Sequence, residues 1–234
     1  DSYPDFSFHA DRVEAAVTPR TKILLLNSPG NPTGVMLSDG DIREAIDIAR
    51  RHDLLIIADE IYEMFRYDTS SSFARYSPLK DYEKSVIIRG FGKSHAMTGW
   101  RVGYAYGFQP VIEQMIRLQQ FTYICAPSPF QHGALAALDA DMKPFVESYR
   151  RKRDLVMELL SKKFEIVQPN GAFYVFPKAP SGMSATEFCT RAIEKNVIVI
   201  PGNVFSSRDT HFRISYATSD EKLRAGCAIL NSMV

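Results

Sequence analysis

The segment from Lys22 to Asp59 constrains the fold more than any other part of the chain. Two near-continuous apolar runs, Lys22-Ile23-Leu24-Leu25-Leu26 and Leu54-Leu55-Ile56-Ile57-Ala58, flank a stretch in which Ile42, Ala45, Ile46 and Ala49 recur at helical spacing. Ser38 stands where the N-cap of a helix from Asp39 to Arg51 would fall. Strand, helix, strand at this spacing is a right-handed βαβ unit. The near-continuous apolarity of the first run suits a central parallel strand covered on both faces, and the second reads as another buried strand. The expected class is therefore α/β, a mostly parallel sheet with flanking helices.

A third strand begins at Ser85 with Val86-Ile87-Ile88 and breaks at Gly90-Phe91-Gly92, which presents Lys93 in a tight turn. Extended character resumes at Trp100-Arg101-Val102-Gly103-Tyr104. Only about a dozen residues part the two segments, near the lower limit for a parallel crossover, so they are expected to run antiparallel. Gly92-Lys93-Ser94 resembles the end of a phosphate-binding G-x-x-x-x-G-K-[ST] loop, but Ile87 stands where its first glycine belongs, and Gly99 forbids a long following helix. Two readings of Lys93 remain. One is a solvated turn lysine. The other is an amine that attacks a carbonyl, which requires the neutral form of a group whose free pKa is ~10.4. Burial and a neighbouring cation such as Arg101 both favour that form.

Composition narrows the class. The 234 residues are 45% hydrophobic and 24% charged, enough for a substantial core in one large or two modest domains. A net charge of +1 gives no sign of nucleic-acid or membrane-surface binding. Cys125, Cys189 and Cys227 lie far apart, which argues against a disulfide framework or zinc site and suits a reducing, cytoplasmic compartment. Composition shifts near Asp141, dividing the chain into 1–142 and a smaller α+β unit, 143–234. In the latter, a charged helix from Lys143 to Phe164 carries the run Arg150 to Arg153, read as a solvated face. Short strands are expected at Glu165–Val167, Ala172–Phe176, Val197–Ile200 and Phe212–Tyr216. The stretch from Glu63 to Lys84 reads as polar and irregular.

In an open parallel sheet, ligands bind outside the carboxyl ends of the strands. Asn31, Asp59, Tyr62 and Lys93 follow the ends of successive strands and are expected to converge there. Singly, Asn31 reads as a turn residue, Asp59 as a cap and Tyr62 as a core aromatic. Together they suggest a site.

Five motifs then carry a resemblance over nearly the whole chain: Asn27-Ser28-Pro29-Gly30-Asn31-Pro32-Thr33-Gly34; Asp59-Glu60-Ile61-Tyr62; Lys93 with Met97 to Tyr104; Asn170-Gly171-Ala172-Phe173-Tyr174; and Phe212-Arg213-Ile214-Ser215. In this order they are similar to the pyridoxal phosphate-dependent aminotransferases of class I/II, the aspartate aminotransferase type of fold type I. The resemblance implies transamination between an α-amino acid and a 2-oxo acid, with pyridoxal 5'-phosphate as cofactor and a homodimer as the working form. It implies that Lys93 holds the cofactor and moves protons. Asp59 would pair with the pyridine nitrogen, and Asn31 and Tyr62 would bond the phenolic oxygen. Arg101 and Ser94 would bind the phosphate. Arg213, with Asn31, would bind the substrate α-carboxylate; its plain alternative is a strand-edge salt bridge.

The sequence also departs from the pattern. Glycines stand at 90 and 92, where the family often has serines, and this is expected to weaken one phosphate contact. The chain opens beyond the position at which family members carry a phosphate loop, a ring-stacking aromatic and an N-terminal arm. It is accordingly expected to be a fragment, inactive alone. A C–S lyase shares these motifs and remains an alternative, as does a sensor built on the same fold.

Overall fold

The structure, a computed structural model, describes residues 2–67 and 81–234. Most of the stretch from Glu63 to Lys84 thus lies outside the described residues. The chain forms two compact units: Asp1–Pro29 with Met36–Met142, and Gly30–Val35 with Lys143–Val234. Gly30–Val35 belongs with the second unit. There the Gly34 carbonyl accepts from the amides of Asn170 and Gly171 at 3.1 and 2.9 Å.

In the first unit a short helix α1 (Ala10–Ala16) precedes strand β1 (Ile23–Asn27), helix α2 (Asp39–Arg51) and strand β2 (Leu55–Asp59). Strand β3 (Ser85–Gly90) leads into one turn of helix, α3 (Phe91–Ser94), and then β4 (Gly103–Gly107), α4 (Gln109–Gln120) and α5 (Ser128–Ala137). The sheet order is β1-β2-β3-β4. Pairing is parallel from β1 to β3, with Asn27 opposite Asp59, and antiparallel between β3 and β4. Helix α2 starts where a capping box fixes it: the Ser38 hydroxyl accepts from the Asp41 amide at 3.2 Å and the Asp41 carboxylate accepts from the Ser38 amide at 2.7 Å. Its apolar stripe of Ile42, Ala45, Ile46 and Ala49 packs on Leu26, Ile56, Ala58 and Ile87. Each large side chain so buried contributes about 1.5–3 kcal/mol.

Two expectations for this unit are corrected. β1 is covered on one face only: Leu26 is buried, while Leu25 is 65% and Ile23 49% exposed. β1 pairs with β2 alone, so it is an edge strand of the described sheet. Trp100 and Arg101 lie outside β4. Thr98–Trp100 is a single 3-10 turn that ends on Arg101 in the left-handed region, at φ 54°. Gly90 and Gly103 face each other in the β3–β4 ladder, and a Cβ on Gly103 would come within 2.9 Å of the Arg89 carbonyl oxygen. Close backbone approach explains the glycine at position 103.

The second unit comprises α6 (Lys143–Leu160), β5 (Tyr174–Val175), α7 (Ala185–Glu194), β6 (Ile200–Pro201), β7 (Phe212–Ser215) and α8 (Asp220–Asn231). Its sheet, ordered β5-β7-β6, is antiparallel throughout. Phe164, Phe188 and Phe212 form its aromatic core at centroid separations of 4.7 to 5.8 Å. No strand forms at Glu165–Val167, and only Ile200 of the expected Val197–Ile200 strand joins a ladder. The Glu165 carbonyl accepts from the Lys178 amide at 2.9 Å, a local contact that belongs to neither described ladder. The Arg150–Arg153 run is not uniformly solvated either. Arg153 is 7% exposed and donates to the Pro169 carbonyl at 2.9 Å and to Asp154 at 2.7 Å. Among the described residues, no helix is long and apolar enough to cross a membrane.

Candidate active site

The ends of β2 and β3 place three of the sequence-derived candidates in the first unit. Asp59 is the last residue of β2; its backbone carbonyl accepts from the Ser28 amide and the Asn27 side chain, each at 3.2 Å. Its carboxylate accepts from the Ile61 amide at 3.2 Å, which turns the chain towards Tyr62, 4% exposed. Lys93 sits in α3, directly beyond β3, and is half-buried.

Lys93 and Arg101 line one cavity of about 500 Å³, together with Gly92, Thr98 and Tyr104. Arg101 donates to the Thr98 carbonyl at 3.2 Å. Among the described residues, no carboxylate forms a salt bridge with either cation. Two cations that share a cavity without an anion make a receptor for an anionic ligand, and the Lys93 amine adds the capacity to join a carbonyl carbon. A phosphorylated aldehyde such as pyridoxal phosphate fits that donor set.

Ser94 is placed elsewhere. Its hydroxyl donates to the Gly90 carbonyl at 3.1 Å and lies 2.7 Å from His95 Nδ1. It lines a separate cavity of about 100 Å³ with Glu63, Arg89 and His95. The family resemblance implied a phosphate contact for Ser94; in α3 its hydroxyl is taken up by the Gly90 carbonyl and His95 instead.

Behind this edge lies an ion pair that sequence reading missed. Glu60, 2% exposed, accepts at a single oxygen from Arg89 Nε and Nη2, at 2.8 and 2.6 Å. Burial opposes the Arg89 charge, but attraction and hydrogen bonding from Glu60 outweigh it and the guanidinium pKa stands above its ordinary value. Burial also pushes the nearby Glu63 carboxyl above the usual range, against the pull of Arg89. The only sequence signal was a charge on each of two buried strand ends.

In the second unit, Asn31 and Arg213 come together across 182 positions: Arg213 Nη1 donates to Asn31 Oδ1 at 2.8 Å. Arg213 occupies β7 and pairs in register with Ile200 of β6. Its guanidinium carbon lies 4.6 Å from the ring centroid of Tyr174 and 4.9 Å from that of Phe205. Arg213 Nε is buried without a hydrogen-bond partner, and among the described residues no carboxylate pairs with the side chain. An arginine with an orphaned N–H and no counter-ion fits a carboxylate ligand better than a strand-edge salt bridge. Tyr174 fell within a quoted motif but had no assigned role, and Phe205 carried no pattern that could have marked it.

Known proteins resemble this chain in sequence and in fold. The sequence pattern of the family described as aminotransferase class I and II fits residues 1–230. Aromatic-amino-acid aminotransferase 2 of Thermococcus litoralis is 38% identical over 228 residues, covering 94% of this chain and 59% of that protein. Aspartate aminotransferase of Pyrococcus abyssi is 36% identical over 228 residues, with shares of 94% and 59%. Among solved structures, aspartate aminotransferase of Thermotoga maritima superposes with a TM-score of 0.92 at 33% identity, covering 97% of this chain and 60% of that one. Aspartate aminotransferase of Thermus thermophilus with maleate gives 0.89 at 36% identity, with shares of 98% and 61%. The chain thus spans about 60% of the length of such relatives. Matched along nearly its whole length by the family pattern, the chain belongs to the aminotransferase class I and II family.

Proposed function

We propose that this chain is the part of a pyridoxal 5'-phosphate-dependent enzyme that carries the reactive lysine, and that the enzyme moves an amino group between an α-amino acid and a 2-oxo acid. The observation that supports this most is the cavity shared by Lys93 and Arg101, where an amine and a guanidinium stand without a carboxylate partner among the described residues. Lys93 would hold the cofactor through its amine, Arg101 its phosphate, Asp59 its ring nitrogen, and Asn31 and Tyr62 its phenolic oxygen. When bound, the cofactor supplies an electron sink that acidifies the Cα–H bond of the amino acid.

The chain's own residues would do the rest. Lys93 Nζ, once free and neutral, is the base that takes the Cα proton and returns it. The Asp59 carboxylate holds a proton on the ring nitrogen by its negative charge. Arg213 binds the α-carboxylate and orients the Cα–H bond, while Asn31 fixes the guanidinium. Ser94 is left out of the phosphate site, because its hydroxyl already donates to Gly90. We also propose a homodimer in a reducing cytoplasmic setting. Exposed Ile116, Leu118 and Leu135, and three unpaired cysteines, support that reading.

The test is chemical trapping. After incubation with pyridoxal phosphate and borohydride, the expected label maps to the peptide containing Lys93 and is lost in Lys93→Ala. Label that persists undiminished on another lysine in that variant would refute the assignment. Assay of the products from an amino acid and a 2-oxo acid then separates transamination from elimination, which would release ammonia.

A further inference from the structure

We infer that Phe205 is a positioning residue for carboxylate recognition: with Tyr174 it holds the Arg213 guanidinium in place, so that the cation meets an incoming carboxylate pre-oriented and unneutralised. This rests on the reading of Arg213 as the α-carboxylate anchor. Among the described residues, the groups that hold the Arg213 side chain are electrically neutral: the Asn31 amide oxygen at 2.8 Å and two aromatic faces at 4.6 and 4.9 Å. Both ring distances fall within the ~6 Å over which a ring quadrupole attracts a cation. An acidic residue in that place would orient the guanidinium equally well, but it would cancel the charge and compete with the ligand. Neutral contacts leave the whole charge for the anion.

The Phe205 ring is itself well held. It follows a single 3-10 turn, Gly202–Val204, in which the Gly202 amide donates to the His211 carbonyl at 2.7 Å and the Phe205 amide to the Gly202 carbonyl at 2.9 Å. Phe176 meets the Phe205 ring edge-on at 6.3 Å and stacks on His211 at 5.3 Å. This row of rings reaches from the buried His211 to the guanidinium. Holding a long side chain in its bound orientation beforehand removes an ordering cost from the binding step. Phe205 should therefore act on affinity for carboxylates, and hardly on the chemical step.

The test uses maleate as the probe, titrated calorimetrically into the purified, pyridoxal phosphate-loaded chain and into the unloaded chain. Phe205→Leu keeps apolar bulk but removes the ring face. Phe205→Tyr keeps the face. Replacement of Phe205 by pentafluorophenylalanine keeps the shape but reverses the quadrupole. The leucine and pentafluoro variants are expected to bind maleate about three- to tenfold more weakly, as loss of one pre-ordered side chain would give. The tyrosine variant should stay near wild type. In any turnover assay, KM for the amino acid should rise while kcat holds. Wild-type affinity in the pentafluoro variant, or equal losses in the leucine and tyrosine variants, would overturn the inference. If the leucine variant fails to fold, the isosteric pentafluoro variant decides. Arg213→Ala separates the two readings. Maleate binding that survives it, or is absent from the wild type, sinks the anchor reading and the inference with it. Binding lost in Arg213→Ala but unchanged in the ring variants sinks the inference alone.

Discussion

One carboxylate oxygen of Glu60 accepts from both Nε and Nη2 of Arg89, at 2.8 and 2.6 Å. Glu60 directly follows β2, which ends at Asp59, and Arg89 lies in β3, which leads to Lys93. The pair therefore ties together the two strand ends that carry Asp59 and Lys93. Arg89→Met would remove both Arg89 hydrogen bonds from the 2%-exposed carboxylate of Glu60, at an expected cost of about 3–5 kcal/mol in urea unfolding. Replacing both residues by methionine should cost less, because neither charge of this pair is then left buried opposite an apolar side chain. A single variant as stable as wild type would mean that the pair holds nothing together.

Gly34 sits at φ +71°, and a Cβ there would lie 2.4 Å from Pro169 Cβ and 2.6 Å from the Tyr174 carbonyl oxygen. Gly34→Ala combines backbone strain with overlap against backbone, so it should destabilise the second unit by about 2 kcal/mol or more. Chemical denaturation followed by far-UV circular dichroism would measure it. An unchanged midpoint would show that the Gly30–Val35 segment can move aside at no cost.

Asp59→Ala and Arg213→Lys should fail in different ways. In its proposed role, Asp59 supplies the charge that supports proton transfer, so the first should depress kcat for every substrate. The second keeps the charge but loses the guanidinium fork, so it should mainly raise KM, by about tenfold for one charge-assisted bond of 1.5 kcal/mol. Steady-state kinetics on two amino acids of different side chain would distinguish them; small, equal effects from both variants would contradict these roles.

His211 is 5% exposed, and burial lowers its pKa from the ordinary 6.5, with Lys178 and Arg208 acting in the same direction and Glu165 opposing. A depressed folded-state pKa means that the unfolded chain binds the proton more readily. Stability is therefore expected to be full above pH 6.5 and to decline as the pH falls through the lowered value. His211→Gln should flatten that decline in thermal melts recorded from pH 7.5 to 5. An equally steep decline in the variant would assign the effect to other groups.

Much of this molecule follows from local sequence. The stripe of Ile42, Ala45, Ile46 and Ala49, the Ser38 cap and the two apolar runs specify a βαβ unit because their periodicity and capping are properties of neighbouring residues. The short connection after Gly90 likewise leaves β3 and β4 no arrangement but antiparallel. The candidate residues Asp59 and Lys93 were legible for the same reason, since each stands at the end of a recognisable strand.

What the sequence could not decide depends on which distant groups come to lie together. Whether an apolar run such as Leu24–Leu26 is covered on both faces depends on what packs against it, and here Leu25 is exposed. Whether a serine beside the lysine faces the same cavity depends on the rotation of one helical turn, and α3 turns Ser94 towards Gly90 and His95. Glu60 with Arg89, and Arg213 with Asn31, Tyr174 and Phe205, are partners separated by many residues. Their meeting is fixed by the tertiary packing within each unit, because burial of a charge selects its partner by proximity in space, and no periodicity in the sequence records that distance.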